Sequence, residues 1–279
     1  MSSDDVVRPQ SLLLSFLGDQ VLGRGVCVYS GSVIEVFGRV GVGEQATRST
    51  LARMVQRGLL RKQREGRRMY FGLTERSEGV LRDGERRVWR VGAVNREWDG
   101  SWTLLGFSLP ESWQRQRHDL RAQLTWSGFG PLFSGLWIAP GVVDVTALVA
   151  ELGLGAHVKV FRAHADDGMD IDAMVEETWG LGQVADAYEE FSSRWEERGA
   201  RLPGDAGDAL ALRLTLHADW LQVIRRDPRL PVKHLPDDWP AERAEKTFRA
   251  VHERLSPLAA SGAEQLIELV PVRDEESYA

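Results

Sequence analysis

The stretch SGSVIEVFGRVGVGEQATRSTLARMVQRGLLRKQREGRRMYFGL, Ser30 to Leu73, leaves the backbone little choice. Val33, Ile34, Val36 and Phe37 supply apolar positions at helical spacing, so a short helix is expected from Ser32 to Arg39. Gly41-Val42-Gly43 breaks it, because glycine accepts backbone angles that other residues resist. A second helix follows over Glu44–Arg57, with Gly58 as its stop. Its two faces separate. Thr47, Thr50, Leu51, Met54 and Val55 form an inward stripe, and Gln45, Arg48, Ser49, Ala52, Arg53 and Gln56 lie opposite. Leu59–Gln63 and Arg68–Leu73 can then pair as strands around Arg64-Glu65-Gly66-Arg67. Helix, glycine turn, helix and basic hairpin in this order are the pattern of a winged helix-turn-helix.

The outward residues of the second helix are short or forked donors, the chemistry that reads base edges and phosphates in a major groove. Eight basic residues and one acidic residue, Glu65, lie between Arg48 and Arg68. The plain alternative is a solvated amphipathic helix beside an ordinary hairpin. Turn, faced helix and arginine-tipped hairpin together favour DNA binding. The net charge of −6 conceals an asymmetry: residues 1–98 hold 17 basic and 11 acidic residues, the remainder 18 and 30. Phosphate contacts need a local basic face, not a basic protein, and the acidic remainder would avoid DNA.

A chain of 279 residues suits two or three domains. No apolar run approaches the roughly 20 residues of a membrane span, so no membrane partner is expected, and no signal-peptide core precedes a cleavage site. Cys27 is the single cysteine, which points to a reducing, cytoplasmic home. It lies between Val26 and Val28 and reads as packing rather than as a nucleophile.

Arg8–Leu17 reads as a first core helix, Val21–Tyr29 as extended, Thr74–Val91 as a helix with Ser77, Val80, Leu81 and Val88 along one side, and Gly92–Gly100 as a linker. Trp102–Leu109 is a buried strand, Glu111–Trp126 a helix, Gly135–Ile138 a strand, Asp144–Leu152 a helix and Ala156–Ala163 an alternating strand. Such alternation suggests a ferredoxin-like α/β domain. Ile171–Thr178, Gly182–Arg198, Asp208–Arg226 and Ala241–Ser261 read as helices. The expected fold is therefore α+β and multidomain: a winged helix-turn-helix over 1–92, a ferredoxin-like middle domain over 98–168, and a helical C-terminal domain over 169–279.

The pieces that carry a resemblance are Arg48-Ser49-x-Leu51-Ala52-Arg53-Met54-Val55-x-x-Gly58, Gly66-Arg67 and Tyr70-x-x-Leu73-Thr74 in the first part. Trp98-Asp99-Gly100-x-Trp102 and Gly135-Leu136-Trp137-Ile138-Ala139-Pro140 follow, and then Asp227-Pro228-x-Leu230-Pro231 with Leu235-Pro236-x-x-Trp239. The chain resembles the PaaX family, repressors of phenylacetic acid degradation, over almost its whole length. The resemblance implies a Cas2-like middle domain and a homodimeric repressor released by an aryl-CoA thioester, typically phenylacetyl-CoA. It carries a DNA-binding role onto Arg48, Ser49 and Arg53, and less specifically onto the basic wing at Arg67 and Arg68. Gln45 and Arg64 join that set from their positions. A two-fold dimer would set its recognition helices about 34 Å apart on a palindromic double-stranded operator.

Lys159, Arg162 and His164, on or just after the third strand of the middle domain, suit an effector's phosphates, and Trp179 an aromatic acyl group; a solvated strand end is the plain reading of the first three. Trp102, Trp137, Trp179, Trp195, Trp220 and Trp239 otherwise read as core. No catalytic or metal-ligand set emerges. Gly41-Val42-Gly43-Glu44 has no lysine where a P-loop needs one. His217-x-Asp219 and His157-x-Lys159 suit neither zinc nor a triad, and His164 near Asp166 and Asp167 reads as a polar turn. The alternative, a metal-dependent nuclease on the middle domain, would need an acid near the end of its first strand, where Ser108-Leu109-Pro110 stands.

Overall fold

The computed structural model describes residues 9–89 and 94–273; parts of the expected linker and of the ends of two expected helices lie outside these. The first elements are α1 (Pro9–Gln20), β1 (Val26–Tyr29), α2 (Ser30–Arg39), α3 (Glu44–Gln56), β2 (Leu60–Glu65), β3 (Arg68–Leu73) and α4 (Glu75–Trp89). Then come β4 (Ser101–Phe107), α5 (Gln114–Trp126), β5 (Gly130–Phe133), β6 (Leu136–Pro140), α6 (Thr146–Glu151) and β7 (Val158–His164). The chain finishes with α7 (Ile171–Trp179), α8 (Leu181–Ala200), α9 (Ala206–Ile224), α10 (Ala241–Leu266) and β8 (Leu269–Pro271). Two compact units result: Met1–Val91, Phe191–Leu221 and Lys246–Ala279 form one, Gly92–Glu190 and Gln222–Glu245 the other.

In the first unit, Leu12, Leu13, Phe16 and Leu17 of α1, Val33, Val36 and Phe37 of α2, and Leu51 and Met54 of α3 are all buried. Phe16 meets Phe37 edge-on at 6.1 Å. Each such side chain contributes roughly 1.5–3 kcal/mol by leaving water, which fixes the helices against one another. Between α2 and α3 the chain turns on Gly41 at φ 80°; Gly41 N–H donates to Gly38 O at 3.0 Å and Val42 N–H to Phe37 O at 2.9 Å. That bond pair closes a helix on a left-handed residue, which is why glycine stands there. Val80, expected inward on α4, is half exposed; Ser77 and Leu81 hold the buried side.

The sheet of this unit runs β2-β3-β1-β8, all neighbours antiparallel. The hairpin is tighter than expected. Arg64 and Glu65 extend β2, and Gly66-Arg67 alone form the loop, with Gly66 at φ 57°. A two-residue hairpin needs positive φ at its first loop residue to match strand twist, which Gly66 supplies. The edge strand β8 was not expected at all. It follows α10 and pairs Val26 with Pro271, Cys27 with Val270 and Val28 with Leu269, so the C-terminal segment is not wholly helical.

In the second unit the sheet runs β5-β6-β4-β7, antiparallel throughout. Both faces of β4 are covered, which explains its unbroken apolar run. Leu105 packs with Leu120, Leu124, Trp137 and Val158, while Trp102 packs with Ile138, Met174, Val175 and Leu230. Three strands were expected, and β5 makes four. Its sequence Gly-Pro-Leu-Phe carries no alternating pattern, and its register with β6 shifts between Pro131 and Phe133. The turn Asp227-Pro228-Arg229 is pinned by a buried carboxylate. Asp227 accepts from the Tyr188 hydroxyl and, at 2.6 Å, from Arg229 N–H. Burial pushes the Asp227 carboxyl up and the Tyr188 hydroxyl well up.

Candidate nucleic-acid interface

α3 is presented by packing on one side only. Thr47, Thr50, Leu51 and Met54 are buried, and Thr50 Oγ1 donates to Ala46 O at 2.8 Å. Gln45, Ala46, Arg48, Ser49, Ala52, Arg53 and Gln56 are all exposed, so the four expected readers on this helix share one open face. The N-cap, Gly43, offers no side-chain hydrogen bond. First-turn N–H groups and the positive end of the helix dipole are therefore available to an anion. Arg48 is held by Glu44 one turn earlier at 2.7 Å, and Arg53 Nη2 donates to Thr50 Oγ1 at 3.2 Å. The first is an exposed ion pair and weak, the second a part-buried hydrogen bond, and both arginines remain exposed.

The hairpin arginines differ from one another. Arg67 is exposed at the second loop position. Arg64, on β2, donates from Nε to Gly66 O at 3.0 Å. Arg68 is tied down: its guanidinium pairs with Glu268 and lies over the Tyr29 ring, 5.1 Å from the centroid. Tyr70 donates its hydroxyl to the same carboxylate. Those two donors hold the Glu268 carboxyl below the usual range, so it stays ionised beside the basic hairpin. The C-terminal segment also reaches the hairpin at Gln63, whose Nε2 donates to Pro271 O at 3.0 Å. Its Oε1 accepts from Arg273 N–H at 2.9 Å, and the Arg273 side chain pairs with Glu65 at 3.0 Å.

No sequence pattern points to Glu268 and Arg273, because 198 residues or more separate them from these partners. The only local trace was the apolar run Ile267-Glu268-Leu269-Val270-Pro271-Val272 after the last helix.

The expected effector residues do not gather. Lys159, Arg162 and His164 are exposed on β7, and Lys159 borders a cavity of about 400 Å³ with Ser108 and His157. Trp179 stacks on Trp102 at 6.2 Å inside an aromatic cluster with Trp98 and Trp239. Among the described residues no group of three His, Cys, Asp or Glu is placed to share a metal ion. His217 is partly buried, with Nε2 2.9 Å from His252 Nδ1, and desolvation lowers its pKa to about 4. Cys27 is fully buried, and burial raises its thiol pKa. No helix in the described residues is long and apolar enough to cross a membrane.

Comparison with known proteins gives the three-part plan a class. Residues 8–77 match the family of PaaX-like proteins, residues 95–175 the PaaX protein central Cas2-like domain, and residues 179–265 the PaaX-like protein C-terminal domain. The chain is thus an α+β multidomain protein with a Cas2-like middle and a helical C-terminal part. It is 30% identical over 265 residues to the transcriptional repressor PaaX of Escherichia coli (strain K12), covering 91% of this chain and 82% of that one. The chain belongs to the PaaX family. The uncharacterized protein Rv0674 from Mycobacterium tuberculosis shares the fold, with a TM-score of 0.57 and 20% identity over 92% of this chain and 99% of that one.

Proposed function

We propose that this protein is a cytoplasmic, homodimeric transcriptional repressor that reads a palindromic operator with a winged helix-turn-helix. In this reading α3 is the recognition helix and β2–β3 the wing. The observation that carries it is the open face of α3, where Gln45, Arg48, Ser49 and Arg53 are all exposed beside an arginine-tipped hairpin. Arg48 and Arg53 supply forked donors for guanine edges or phosphates, Gln45 a donor–acceptor pair for adenine, and Ser49 either. Arg64 and Arg67 approach the backbone from the wing, and Arg68 stands beside them, held by Glu268. The order α1-β1-α2-α3-β2-β3, with β1 paired to β3, supports it further. Family membership favours control of an aromatic, phenylacetate-type catabolic pathway, with an aryl-CoA thioester such as phenylacetyl-CoA as the releasing effector. Such a ligand works by binding the non-operator geometry more tightly than the operator-bound one.

The test is fluorescence anisotropy on the palindromic DNA upstream of the protein's own gene, at two salt concentrations, with and without phenylacetyl-CoA. Tight, salt-sensitive binding released by the thioester is expected. Tight binding without release would remove the effector, and no specific binding would remove the repressor. Arg48→Ala should weaken operator binding by about 1–3 kcal/mol with folding intact. Unchanged affinity would take Arg48 out of the readout.

A further inference from the structure

Two adjoining cavities of the first unit have arginines in their walls. The larger, of about 570 Å³, is lined by one face of α9, where Asp208, Ala211, Leu212, Thr215 and Asp219 recur at helical steps. Opposite residues come from the turn between α2 and α3, and Leu12, Val40 and Val42 join Leu212 as its aliphatic part. Arg39, Arg198 and Arg201 supply its cations. The smaller, of about 460 Å³, shares Arg198, Arg201 and Leu212 and adds Arg194 and Glu197.

Most of the carboxylates here are already engaged. Asp219 is buried and accepts from Trp195 Nε1 at 3.1 Å and from Arg194 Nη1 at 3.4 Å. Asp205 and Asp208 hold Arg39 at 2.7 and 2.8 Å, and its guanidinium lies so close to Gly207 that a Cβ there would come within 2.6 Å of it. Glu197 is the remaining carboxylate of the two linings and is exposed. Arg198 lies over the Trp195 ring, 5.4 Å from the centroid. Among the described residues neither Arg198 nor Arg201 has a carboxylate partner, and both are exposed. The end of α8 accounts for one cation through its dipole, but not for a pair beside an aliphatic cavity.

We propose that the larger cavity takes a phosphate-bearing effector with a short apolar portion, its phosphate held by Arg198 and Arg201. An arginine fork matches phosphate oxygens in pairs. The volume suits a small ligand, for which roughly 300–1,000 Å³ is usual. The apolar portion lies against Leu12, Val40, Val42 and Leu212. Binding here acts on α3 because the wall from Arg39 to Val42 is also the turn that leads into Glu44, the first residue of α3. The ion pairs of Arg39 with Asp205 and Asp208 are partly exposed and individually weak, so a phosphate can take the guanidinium from them. Moving Arg39 off α9 shifts the turn, which gives the two geometries the different ligand affinities that release requires.

The role as effector site rests on the reading as a ligand-released repressor; the arginine-lined cavity does not. The experiment is isothermal titration calorimetry on the full chain with phenylacetyl-CoA, coenzyme A and phenylacetate, run beside operator anisotropy. The thioester and coenzyme A should both bind, and phenylacetate at least about 10-fold more weakly, because charged hydrogen bonds to phosphate carry the recognition. Arg198→Gln with Arg201→Gln should weaken thioester binding at least about 10-fold, with an unchanged melting temperature showing that the fold survives. Lys159→Gln with Arg162→Gln, on β7 of the other unit, should bind the thioester as wild type does. Arg39→Gln cuts the tie to α9; it should bind operator more weakly without ligand and show a drop on adding thioester at least about 5-fold smaller.

A folded Arg198→Gln, Arg201→Gln protein that binds the thioester like wild type would overturn the site, as would loss confined to the β7 pair. Wild type that binds neither thioester nor coenzyme A, or binds phenylacetate as tightly, would overturn the phosphate. Operator behaviour of Arg39→Gln equal to wild type would overturn the coupling. Thioester bound through Arg198 and Arg201 without operator release keeps the site and removes the effector reading. Release that survives the double exchange keeps the effector and removes only the site.

Discussion

Glu268 is an acidic residue set against the basic hairpin, and its neutralisation should strengthen DNA binding. The Glu268→Gln exchange is mild. Backbone bonds hold β8 independently of this side chain: Tyr29 N–H donates to Glu268 O at 2.9 Å, and Glu268 N–H to Ser32 Oγ at 3.0 Å. A glutamine oxygen still accepts from the Tyr70 hydroxyl. What changes is charge. Arg68, now paired with Glu268 and about half exposed, becomes available to phosphate. One added phosphate contact steepens the log–log salt dependence of binding by ~0.9, so the variant should lose about 3.5-fold more affinity than wild type between roughly 50 and 200 mM salt. At the low-salt end it should bind more tightly. The carboxyl is held below its usual range by Tyr70 and Arg68, so the effect should be present throughout the neutral range. Anisotropy titrations of both proteins across a salt series give the two slopes. Parallel lines would show that Arg68 does not reach DNA, and a shallower slope would show that Glu268 positions Arg68 for its contact.

Tyr188→Phe removes the hydroxyl that donates to the buried Asp227 carboxylate and should lower stability by about 1–3 kcal/mol, seen as a reduced urea midpoint with unchanged slope. An unchanged midpoint would mean that Asp227 finds another donor. Stability should also fall in acid through His217. Its folded pKa is about 4 against 6.5 for the free side chain, so the unfolded chain takes up the proton first; stability is full above 6.5 and falls by about 1.4 kcal/mol per pH unit down to about 4. His252, also lowered by burial, acts in the same direction, and His217→Gln should flatten this part of the urea–pH profile. Cys27, buried in β1 with a raised thiol pKa, should ignore a thiol reagent in the native protein and react fully in denaturant. Rapid native labelling would refute that burial.

The contrast between α3 and β8 shows why some of this molecule could be read in advance. The facing of α3 is a local property: Thr47, Thr50, Leu51 and Met54 recur at steps of three and four, and burial follows. The open face could be inferred by subtraction. Strand β5 escaped because its Gly-Pro start hides an edge strand behind the signals of a turn. Strand β8 escaped because Val270 meets Cys27 across almost the whole chain, and no periodicity reports such a pairing. The motif Asp227-Pro228-x-Leu230-Pro231 was visible as a pattern, but its reason, the Tyr188 hydroxyl, lies 39 positions away. The scattered effector candidates failed to converge for a related cause. Being on one strand says nothing about sharing a cavity, and Trp179 turned inward onto Trp102 instead.

The same long-range pairing alters how the reading surface should be regarded. A boundary at residue 92 follows the change in composition, whereas the unit that carries α3 is assembled from three separated segments. Its sheet is completed by residues 269–271, and its hairpin is held from outside by Glu268 and Arg273. Loosening the last strand would therefore remove contacts from the hairpin, at Arg68, Gln63 and Glu65. If helix and hairpin both meet DNA, loosening β8 is expected to change the salt slope of binding more than its sequence preference.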